Sequence, residues 1–286
     1  MNLSLGKAKI VFTAPGTSIQ DMGRHRVASI GIPTAGVMDQ KSYAWANHVL
    51  QNEENAAVLE ISQPGLTLVF DHPTELSFAG AKVQIFLNGE AYNSGNTLLI
   101  QTEDEVKFGK FYSGRWLYMG IKSGFATEKF YDSRSDFPFI SRKFFRETGD
   151  ILPYLPIDYP PQRNASPKWN TSWFEDEVVV AYRGPDWSLL SGELQQQLLK
   201  GTFRISTQSN RMGIQLEDLL PNTLPELPTN PVFPGTVQLS SGGKLMVLMR
   251  DAGLTGGYPR ILQLSEDSIS KIAQKRPGEV VRFHVE

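Results

Sequence analysis

Short stretches in which apolar and polar residues alternate, separated by turn-forming residues, run along most of the chain. From Ala81 to Leu87 the apolar side chains fall on one face, and Asn88-Gly89 follows as a strong hairpin signal. Most neighbouring stretches are too close in sequence to hold a long helix between them, which disfavours a doubly wound parallel sheet. We therefore predict a mainly β fold with a few helices, of the α+β or β-barrel kind. The other predicted strands are Leu66–Phe70, Leu98–Gln101, Trp116–Ile121, Val178–Tyr182, Thr236–Leu239, Leu245–Met249, Ile261–Leu264 and Val280–Val285.

Three segments have the apolar spacing of helices. The first follows Asp39, which can cap it, the second begins at Asp186 or Ser188, and the third runs from about Glu266 to Gln274. The positions expected to face inward are Ala44, Trp45, Val49 and Leu50 in the first segment, Leu190, Leu194 and Leu198 in the second, and Ile269, Ile272 and Ala273 in the third.

Prolines are concentrated in two regions. Five of them fall between Pro153 and Pro167, and because proline fixes φ and donates no backbone hydrogen bond, this region is predicted to connect two lobes. The second region, Pro221–Pro234, is predicted to be a long loop. We place a boundary near residue 165, which gives an N-terminal subdomain at residues 1–165 and a C-terminal subdomain at residues 166–286.

Charge and composition exclude several functions. The 286 residues include 28 Lys+Arg and 30 Asp+Glu, and this balance offers no broad footprint for nucleic acid or an anionic membrane. The chain has no cysteine, which excludes disulfides, thiolate metal sites and cysteine nucleophiles. The longest apolar runs are about five residues and Lys7 and Lys9 interrupt the N-terminal one, so we expect a cytoplasmic protein without a membrane span. No P-loop, G-x-G-x-x-G or H-E-x-x-H motif is present, and the four histidines lack metal-ligand spacing, so no metal site is expected.

The first block of candidate chemistry lies between Gly16 and Glu60, where polar side chains are interleaved with glycines. Glycine lets the backbone approach a ligand closely, and the planar fork of Arg24 suits a carboxylate. These residues could instead have structural roles: Asp21 and Arg24 could form a local salt bridge, and Asp39 could cap a helix. The candidate residues of this block are Gln20, Asp21, Arg24, Asp39 and Asn47, and Asn47 could equally satisfy the backbone of a loop.

Two further blocks lie in the C-terminal half. One is Ser209–Gly213, and the other is Asp251–Pro259, which follows a predicted strand. A Thr-Gly-Gly-Tyr turn can present consecutive N–H groups to an anion or a developing oxyanion. The alternative is a tight hairpin in which the glycines are needed only because they can adopt positive φ. The candidates in these blocks are Asn210, Arg211, Met212, Thr255, Gly256, Gly257 and Tyr258.

Several separated strings occur in an order that resembles one protein family. They are T-S-I-Q-D-M-G-R from Thr17, G-I-P-x-x-G-x-M-D from Gly31, and W-A-N from Trp45 with a glutamate further on. S-N-R-M-G, G-T-V-Q, T-G-G-Y-P and A-Q-x-R-P-G-E-x-V-R-F follow in the second half. Together they are similar to the biotin-dependent carboxyltransferase family, subdomains A and B, which includes allophanate hydrolase subunit 2 and the C subunit of 5-oxoprolinase. The resemblance covers about residues 14–283.

The resemblance implies two subdomains with cyclophilin-like β-barrel character and a companion subunit of the same ancestry. Family roles are carboxyl transfer from carboxybiotin, ATP-dependent opening of 5-oxoproline to glutamate, and antagonism of a kinase inhibitor. A chain of this length most resembles the C subunit of an ATP-dependent 5-oxoprolinase, working with a companion of the B-subunit type and a lactam-utilisation subunit. A regulatory binding partner and a carboxyltransferase using biotin carried on another chain are the alternatives. ATP would be bound mainly by or with a partner subunit.

The same resemblance implies roles for the candidate residues. Arg24 and Arg211 would hold a small anionic substrate or phosphate, Asp21 and Asp39 would act as general bases or orienting groups, and the N–H groups of the Gly256-Gly257 pair would stabilise an oxyanion. The remaining candidates, Gln20, Asn47, Asn210, Met212, Thr255 and Tyr258, would line the substrate.

Three positions depart from the family pattern. Asn210 replaces the usual Asp, Tyr131–Asp136 reads Y-D-S-R-S-D where the family tends to L-G-S-R-S-T, and Asp251–Thr255 reads D-A-G-L-T where D-R-Q-T-T is common. These departures leave the substrate open, and they keep a non-catalytic partner among the alternatives.

Overall fold

Strands predominate in the computed structural model, which describes residues 4–13, 15–92, 97–158 and 169–286. Among these described residues, strands hold 37% and helices 14%, which confirms the predicted mainly β fold, and the sheets curl into half-barrels. The strands in these ranges are β1 Gly6–Phe12, β2 Ser18–Gln20, β3 Val58–Ile61, β4 Thr67–Phe70, β5 Thr74–Leu87, β6 Glu90–Tyr92, β7 Thr97–Ile100, β8 Glu105–Ile121, β9 Ile151–Tyr154, β10 Val178–Arg183, β11 Phe203–Arg204, β12 Gly213–Gln215, β13 Asn230–Pro231, β14 Thr236–Leu239, β15 Leu245–Leu248, β16 Thr255–Gly256, β17 Arg260–Leu264 and β18 Val280–Val285. Every predicted strand overlaps one of these.

The hairpin predicted at Asn88-Gly89 joins β5 to β6. Leu87 pairs with Glu90 across the turn, and both central residues have positive φ, 52° at Asn88 and 83° at Gly89. Positive φ at both centres is the geometry of a type I′ turn, whose twist matches that of the flanking strands. The sequence signal and the backbone therefore agree at this position.

Three helices are present in the described ranges: α1 Gln40–Val49, α2 Gly192–Lys200 and α3 Glu266–Gln274. The third coincides with its prediction. The second begins later than predicted, because Trp187–Leu189 forms a separate 3₁₀ turn and Leu190 is extended. Its cap is Ser191, whose hydroxyl accepts the Leu194 N–H at 3.2 Å. No helix in the described part of the chain is long and apolar enough to span a bilayer.

The buried face of α1 also differs from its prediction. Tyr43, Ala46, Asn47 and Val49 are buried, whereas Ala44 is exposed. Val49 and Leu50 are buried as predicted, but Ala44 is exposed and Trp45 only partly buried, because the helix presents its polar Asn47 inward. The face that is buried in the structure was not apparent from the sequence, because it includes the polar residue Asn47.

The chain divides into two compact units. Unit 1 comprises residues 1–24 and 40–171, and unit 2 comprises residues 25–39 and 172–286. The boundary predicted near residue 165 falls in residues 159–168, outside the described residues. The assignment of residues 25–39 to the second unit was not predicted, because the prolines that marked the predicted boundary lie far away, between Pro153 and Pro167.

Unit 1 is built on one antiparallel sheet. Its main order is β2-β3-β8-β4-β1-β9, and β5 pairs with β8 as well as with β6 and β7. Irregular register between Gly80 and Ile85 bends β5 where it runs beside β8. The hydrophobic core lies on one face of this sheet, and α1 contacts β5 and β8.

Unit 2 has a seven-stranded sheet in the order β11-β18-β10-β17-β14-β15-β12 and a two-stranded sheet of β13 and β16. Strands β10 and β18 pair in parallel, and the other pairs are antiparallel. Helix α3 packs beside β10 with Ile269, Ile272 and Ala273 buried, as predicted.

Candidate functional site

Asp21 is a buried carboxylate that accepts four hydrogen bonds from residues of unit 1. Its Oδ1 accepts from the hydroxyls of Ser133 and Ser135 at 2.6 and 2.7 Å and from the Gly23 N–H at 2.8 Å. Its Oδ2 accepts from the Arg134 N–H at 2.6 Å, and the residue is only 1% exposed. Asp21 therefore orients residues 133–135, and its hydrogen bonds leave little capacity for a general base.

The segment that meets Asp21 begins with a tight turn. Tyr131 and Asp132 both have positive φ, 53° and 62°, and backbone hydrogen bonds join residues 130 and 133 on either side of them. The family pattern has glycine at position 132, and aspartate is among the few other residues that tolerate this conformation. The departure at Asp132 is therefore compatible with the same backbone.

Residues 133–136 also cover the outer edge of β2. Asp136 accepts the Ile19 N–H and the Arg146 Nε–H, both at 2.7 Å, and the Asp136 N–H donates to the Ile19 carbonyl at 2.8 Å. The Asp136–Arg146 ion pair has a nearly fully buried carboxylate. Sequence reasoning noted this segment only as a departure from the family and did not place it in the site.

Gln20 and Arg24 meet the same segment. The Gln20 Nε2 donates to the Ser18 hydroxyl at 3.0 Å and to the Asp136 carbonyl at 3.2 Å. Arg24, which is 1% exposed, donates from Nη2 to the Ser135 carbonyl. The structure thus brings together three of the predicted residues, Gln20, Asp21 and Arg24, around residues 133–136.

Asn47 lies in a different network. Its side-chain amide donates to the Ala56 carbonyl at 2.9 Å and accepts from the Asn52 amide at 3.0 Å, so it satisfies the backbone of the loop after α1. This is the structural alternative considered from sequence. Its neighbour Tyr43 was not predicted: burial, reinforced by the negative charge of Asp21, raises the pKa of this phenol, which stays protonated.

One face of β2, β3 and β8 carries polar residues that sequence reasoning missed. Ser18 is opposite Glu60, and Glu60 is opposite Tyr118, so the three form a row across the sheet. The Tyr118 hydroxyl donates to Glu60 Oε2 at 2.8 Å, and Gln20 lies two residues from Ser18 on the same face. We call Ser18, Gln20, Glu60 and Tyr118 the polar face. The intervening residues, which point into the hydrophobic core on the opposite side, are Ile19, Leu59 and Met119.

In unit 2, Arg211 is buried and doubly paired. Its Nε and Nη2 donate to the two oxygens of Asp251 at 2.7 and 2.8 Å, and Nη2 also donates to the Gly36 carbonyl at 2.6 Å. A bidentate pair of this kind fixes both partners in orientation. The guanidinium predicted to hold an external anion therefore has an internal carboxylate in this structure.

Asn210 and Met212 lie on the turn beside Arg211. The Asn210 Oδ1 accepts the N–H groups of Met212 and Gly213 at 2.8 and 3.3 Å, which closes the turn. An asparagine oxygen performs this role as an aspartate would, so the departure at position 210 keeps the local geometry. Met212 is 59% exposed and is presented outward by the turn.

Asp39 contacts the end of α3 within unit 2. Its Oδ2 accepts from the Gln274 amide at 2.8 Å, and both side chains are at most 1% exposed. Gln274 belongs to the A-Q-x-R-P-G-E string but was not singled out as a site residue. Because the two positions are 235 residues apart, no local pattern indicates this contact.

Thr255–Tyr258 forms neither the turn predicted for it nor the tight hairpin that was its alternative. Thr255 and Gly256 make up β16, which pairs with β13, and the Leu227 N–H donates to the Gly257 carbonyl at 2.8 Å. Neither glycine has positive φ. A Cβ at Gly256 would lie 2.5 Å from Gln238 Nε2, so glycine is required there by close approach rather than by backbone conformation.

The substitution Gly256→Ala should therefore act through Gln238. We expect the free energy of unfolding to fall by about 1 kcal/mol, the lower end of overpacking costs, because the amide end of Gln238 can move away. Urea denaturation measures the change. Gly242→Ala is the matched control, since its nearest contact would be 3.9 Å away, and it should be neutral. Equal effects of the two substitutions would contradict the close-approach explanation.

The family model for the carboxyltransferase domain, subdomain A and B, matches residues 30–285. The chain belongs to this family. Its motifs in the sequence had indicated the same family, and that prediction is confirmed. The C subunit of 5-oxoprolinase from Escherichia coli is 27% identical over 96% of this chain and 90% of its own length. The urea amidolyase of Saccharomyces cerevisiae is 24% identical over 96% of this chain but only 16% of its own length.

Solved structures share the carboxyltransferase-domain fold. The crystal structure of TTHA0988 superposes with a TM-score of 0.86 at 24% identity, covering 98% of this chain and 55% of that chain. The Kluyveromyces lactis urea amidolyase gives a TM-score of 0.85 at 22% identity, covering 97% of this chain and 18% of that chain. The chain thus spans about half of the first and less than a fifth of the second.

The groups predicted to hold an anion do not fit ATP in this structure. Arg211 is committed to Asp251, and the Thr255–Tyr258 segment is part of a two-stranded sheet. These residues do not form a cradle for a triphosphate, so no step through ATP is assigned to them. In the described ranges, no three His, Asp or Glu side chains are grouped as metal ligands.

Arg134 also lies at the candidate site, although it was not among the predicted residues. Its backbone N–H is held by Asp21, its side chain is partly exposed, and its guanidinium has no hydrogen bond or ion pair to the described residues. The S-R-S triplet in the family comparison was the available signal.

Proposed function

We propose that this chain corresponds to the C subunit of an ATP-dependent 5-oxoprolinase and acts with companion subunits. The observation that carries the proposal is the match to the Escherichia coli C subunit of that enzyme over nearly the whole of both chains. The urea amidolyases match as one segment of a much longer protein. In the proposed reaction, the lactam amide of 5-oxoproline is hydrolysed to glutamate while ATP is hydrolysed to ADP and phosphate.

The part assigned to this chain is to hold the anionic substrate. Arg24 and Arg211 are the candidates from the sequence, but the Arg211 guanidinium already forms a bidentate ion pair with Asp251 through Nε and Nη2. Arg134 has a fixed backbone and a guanidinium that has no partner in the described residues. We therefore assign the substrate carboxylate to Arg134, with Arg24 supporting the same segment through the Ser135 carbonyl.

The test is ATP-dependent glutamate release from 5-oxoproline by the complex reconstituted with its companion subunits. Arg134→Ala should raise KM about 10- to 100-fold, the range expected when a charged hydrogen bond is lost. Arg142→Ala is the control, because its pair with Glu128 is highly exposed. No glutamate release by the wild-type complex would contradict the function itself. An active complex in which Arg134→Ala behaves like wild type would contradict only the role of Arg134.

Carboxyl transfer is the second candidate, favoured by the family description and by the urea amidolyase relatives. It requires biotin supplied on another chain. Carboxylation of a small amide that depends on an added carboxybiotin carrier, and that proceeds without glutamate release from 5-oxoproline, would select this candidate instead.

A further inference from the structure

Strand β5 borders an open groove that encloses about 370 Å³ within unit 1. Six consecutive residues of the strand, 78–83, line it together with Leu117 of β8 and Trp169. A regular strand turns alternate residues to opposite faces, so consecutive lining residues mark the place where β5 departs from regular pairing. The irregular register between Gly80 and Ile85 lies here, and such irregularities often occur beside functional sites, where they redirect side chains.

Trp169 forms an aromatic wall of the groove. Its Nε1 donates to the Gly80 carbonyl at 3.3 Å, and its ring packs against Trp45 of α1 with the ring centroids 5.4 Å apart. These two contacts restrain the orientation of the indole. Phe78 and Leu117, which are 6% and 2% exposed, add apolar surface. A flat aromatic ligand gains from such a wall, because aromatic pairs are favourable beyond the area that they bury.

Lys82 gives the groove its charge. Among the described residues that line the groove, Lys82 is the only charged one, and its ammonium group has no ion pair with any described residue. Lysine is cationic at neutral pH. A ligand with a negatively charged group therefore complements the groove, whereas a ligand with a positively charged group does not.

The volume of the groove sets the size of its ligand. A cavity of about 150 Å³ holds one benzene molecule, so 370 Å³ corresponds to about two fused rings with a short substituent. We propose that the groove beside β5 binds a small aromatic carboxylate, with its ring against Trp169 and its carboxylate near Lys82. This binding site is separate from the proposed function, so it can be tested on the full chain without companion subunits.

Isothermal titration calorimetry of the full chain with indole-3-acetate, a two-ring carboxylate, tests the site. We expect a Kd of about 1 mM or tighter, as is typical of a ligand with so few heavy atoms. Tryptamine, which carries an ammonium group on the same ring system, should bind at least about 5-fold more weakly, because Lys82 repels its charge. Absence of indole-3-acetate binding, or equal affinity for the two probes, would overturn the inference.

Two substitutions locate the binding in the groove. Lys82→Gln should weaken indole-3-acetate binding about 3- to 5-fold, the effect of one exposed charge pair, and should not weaken tryptamine binding. Trp169→Leu should weaken the binding of both probes at least about 5-fold, because it removes the aromatic wall. Lys107→Gln is the matched control. Lys107 is also an exposed lysine of the unit 1 sheet but does not line the groove, so both affinities should stay unchanged.

Wild-type affinity for indole-3-acetate in both groove variants would place the bound probe elsewhere and overturn the inference. If Trp169→Leu does not fold, wild-type affinity in Lys82→Gln, whose side chain is exposed, would overturn it equally. Raising the ionic strength should reduce the preference for indole-3-acetate over tryptamine in the wild-type chain and have little effect in Lys82→Gln. A preference that salt does not reduce would contradict the electrostatic role of Lys82 and with it the inference.

Discussion

Arg211→Ala should lower the free energy of unfolding by about 3–5 kcal/mol, because it leaves the buried Asp251 carboxylate without its partner. Both side chains of this pair are at most 4% exposed, and Arg211 also binds the Gly36 carbonyl. The loss therefore removes a buried ion pair and a contact to the segment at residues 25–39. Chemical denaturation of the isolated chain measures the effect.

The matched control is Arg282→Ala. Arg282 pairs with Glu177 at 3.4 Å, and both side chains are about half exposed. Solvent screens such a pair, so its removal should cost less than about 1 kcal/mol. A cost below 1 kcal/mol for Arg211→Ala as well would show that Asp251 finds another partner and would refute the structural role of the pair.

Asp21→Ala should destabilise unit 1 by at least about 3 kcal/mol and abolish activity of the reconstituted complex. It removes the acceptor for two buried hydroxyls and two N–H groups, and each unsatisfied buried group costs about 1–3 kcal/mol. Because Asp21 accepts hydrogen bonds from residues 133–135, its removal also frees the backbone at Arg134 from its hydrogen bond. Chemical denaturation measures the loss of stability, and the glutamate-release assay measures the loss of activity.

Two substitutions separate this orienting role from a general-base role. Ser133→Ala keeps the carboxylate but removes one of its donors, and it should cost about 1 kcal/mol. A general base that did not hold the segment would lose no stability in this variant. Asp71→Ala is the matched control, since this aspartate is partly exposed and accepts the Lys7 N–H at 2.6 Å, and it should cost under about 1 kcal/mol.

Local patterns predicted much of the fold, because the responsible forces act between near neighbours. Alternation located the strands, the Asn88-Gly89 pair located a turn with two positive φ angles, and α3 has its predicted bounds. The start of α2 was wrong, since Asp186 is occupied elsewhere. Its carboxylate accepts from the Arg260 N–H and Nε–H, both at 2.9 Å, instead of capping a helix.

The candidate site was less predictable, because its contacts join distant positions. The hydroxyl donor Ser133 lies 112 residues from Asp21, and Asp251 lies 40 residues from Arg211. Sequence spacing correctly marked Gln20, Asp21 and Arg24 as neighbours but contained no information about their partners. Glu60 appeared in the sequence only as a residue of the family motif. Its pairing with Tyr118 could not be predicted, because it depends on the register between β3 and β8.

The placement of residues 25–39 in unit 2 has a consequence for how the protein folds. Gly36 bonds Arg211 across 175 positions, and Asp39 bonds Gln274 across 235. Loop-closure entropy must be overcome before such distant contacts contribute, so a high contact order should make assembly of unit 2 slow. Neither unit is a continuous stretch of chain, and a single cut cannot release either one with all of its own residues.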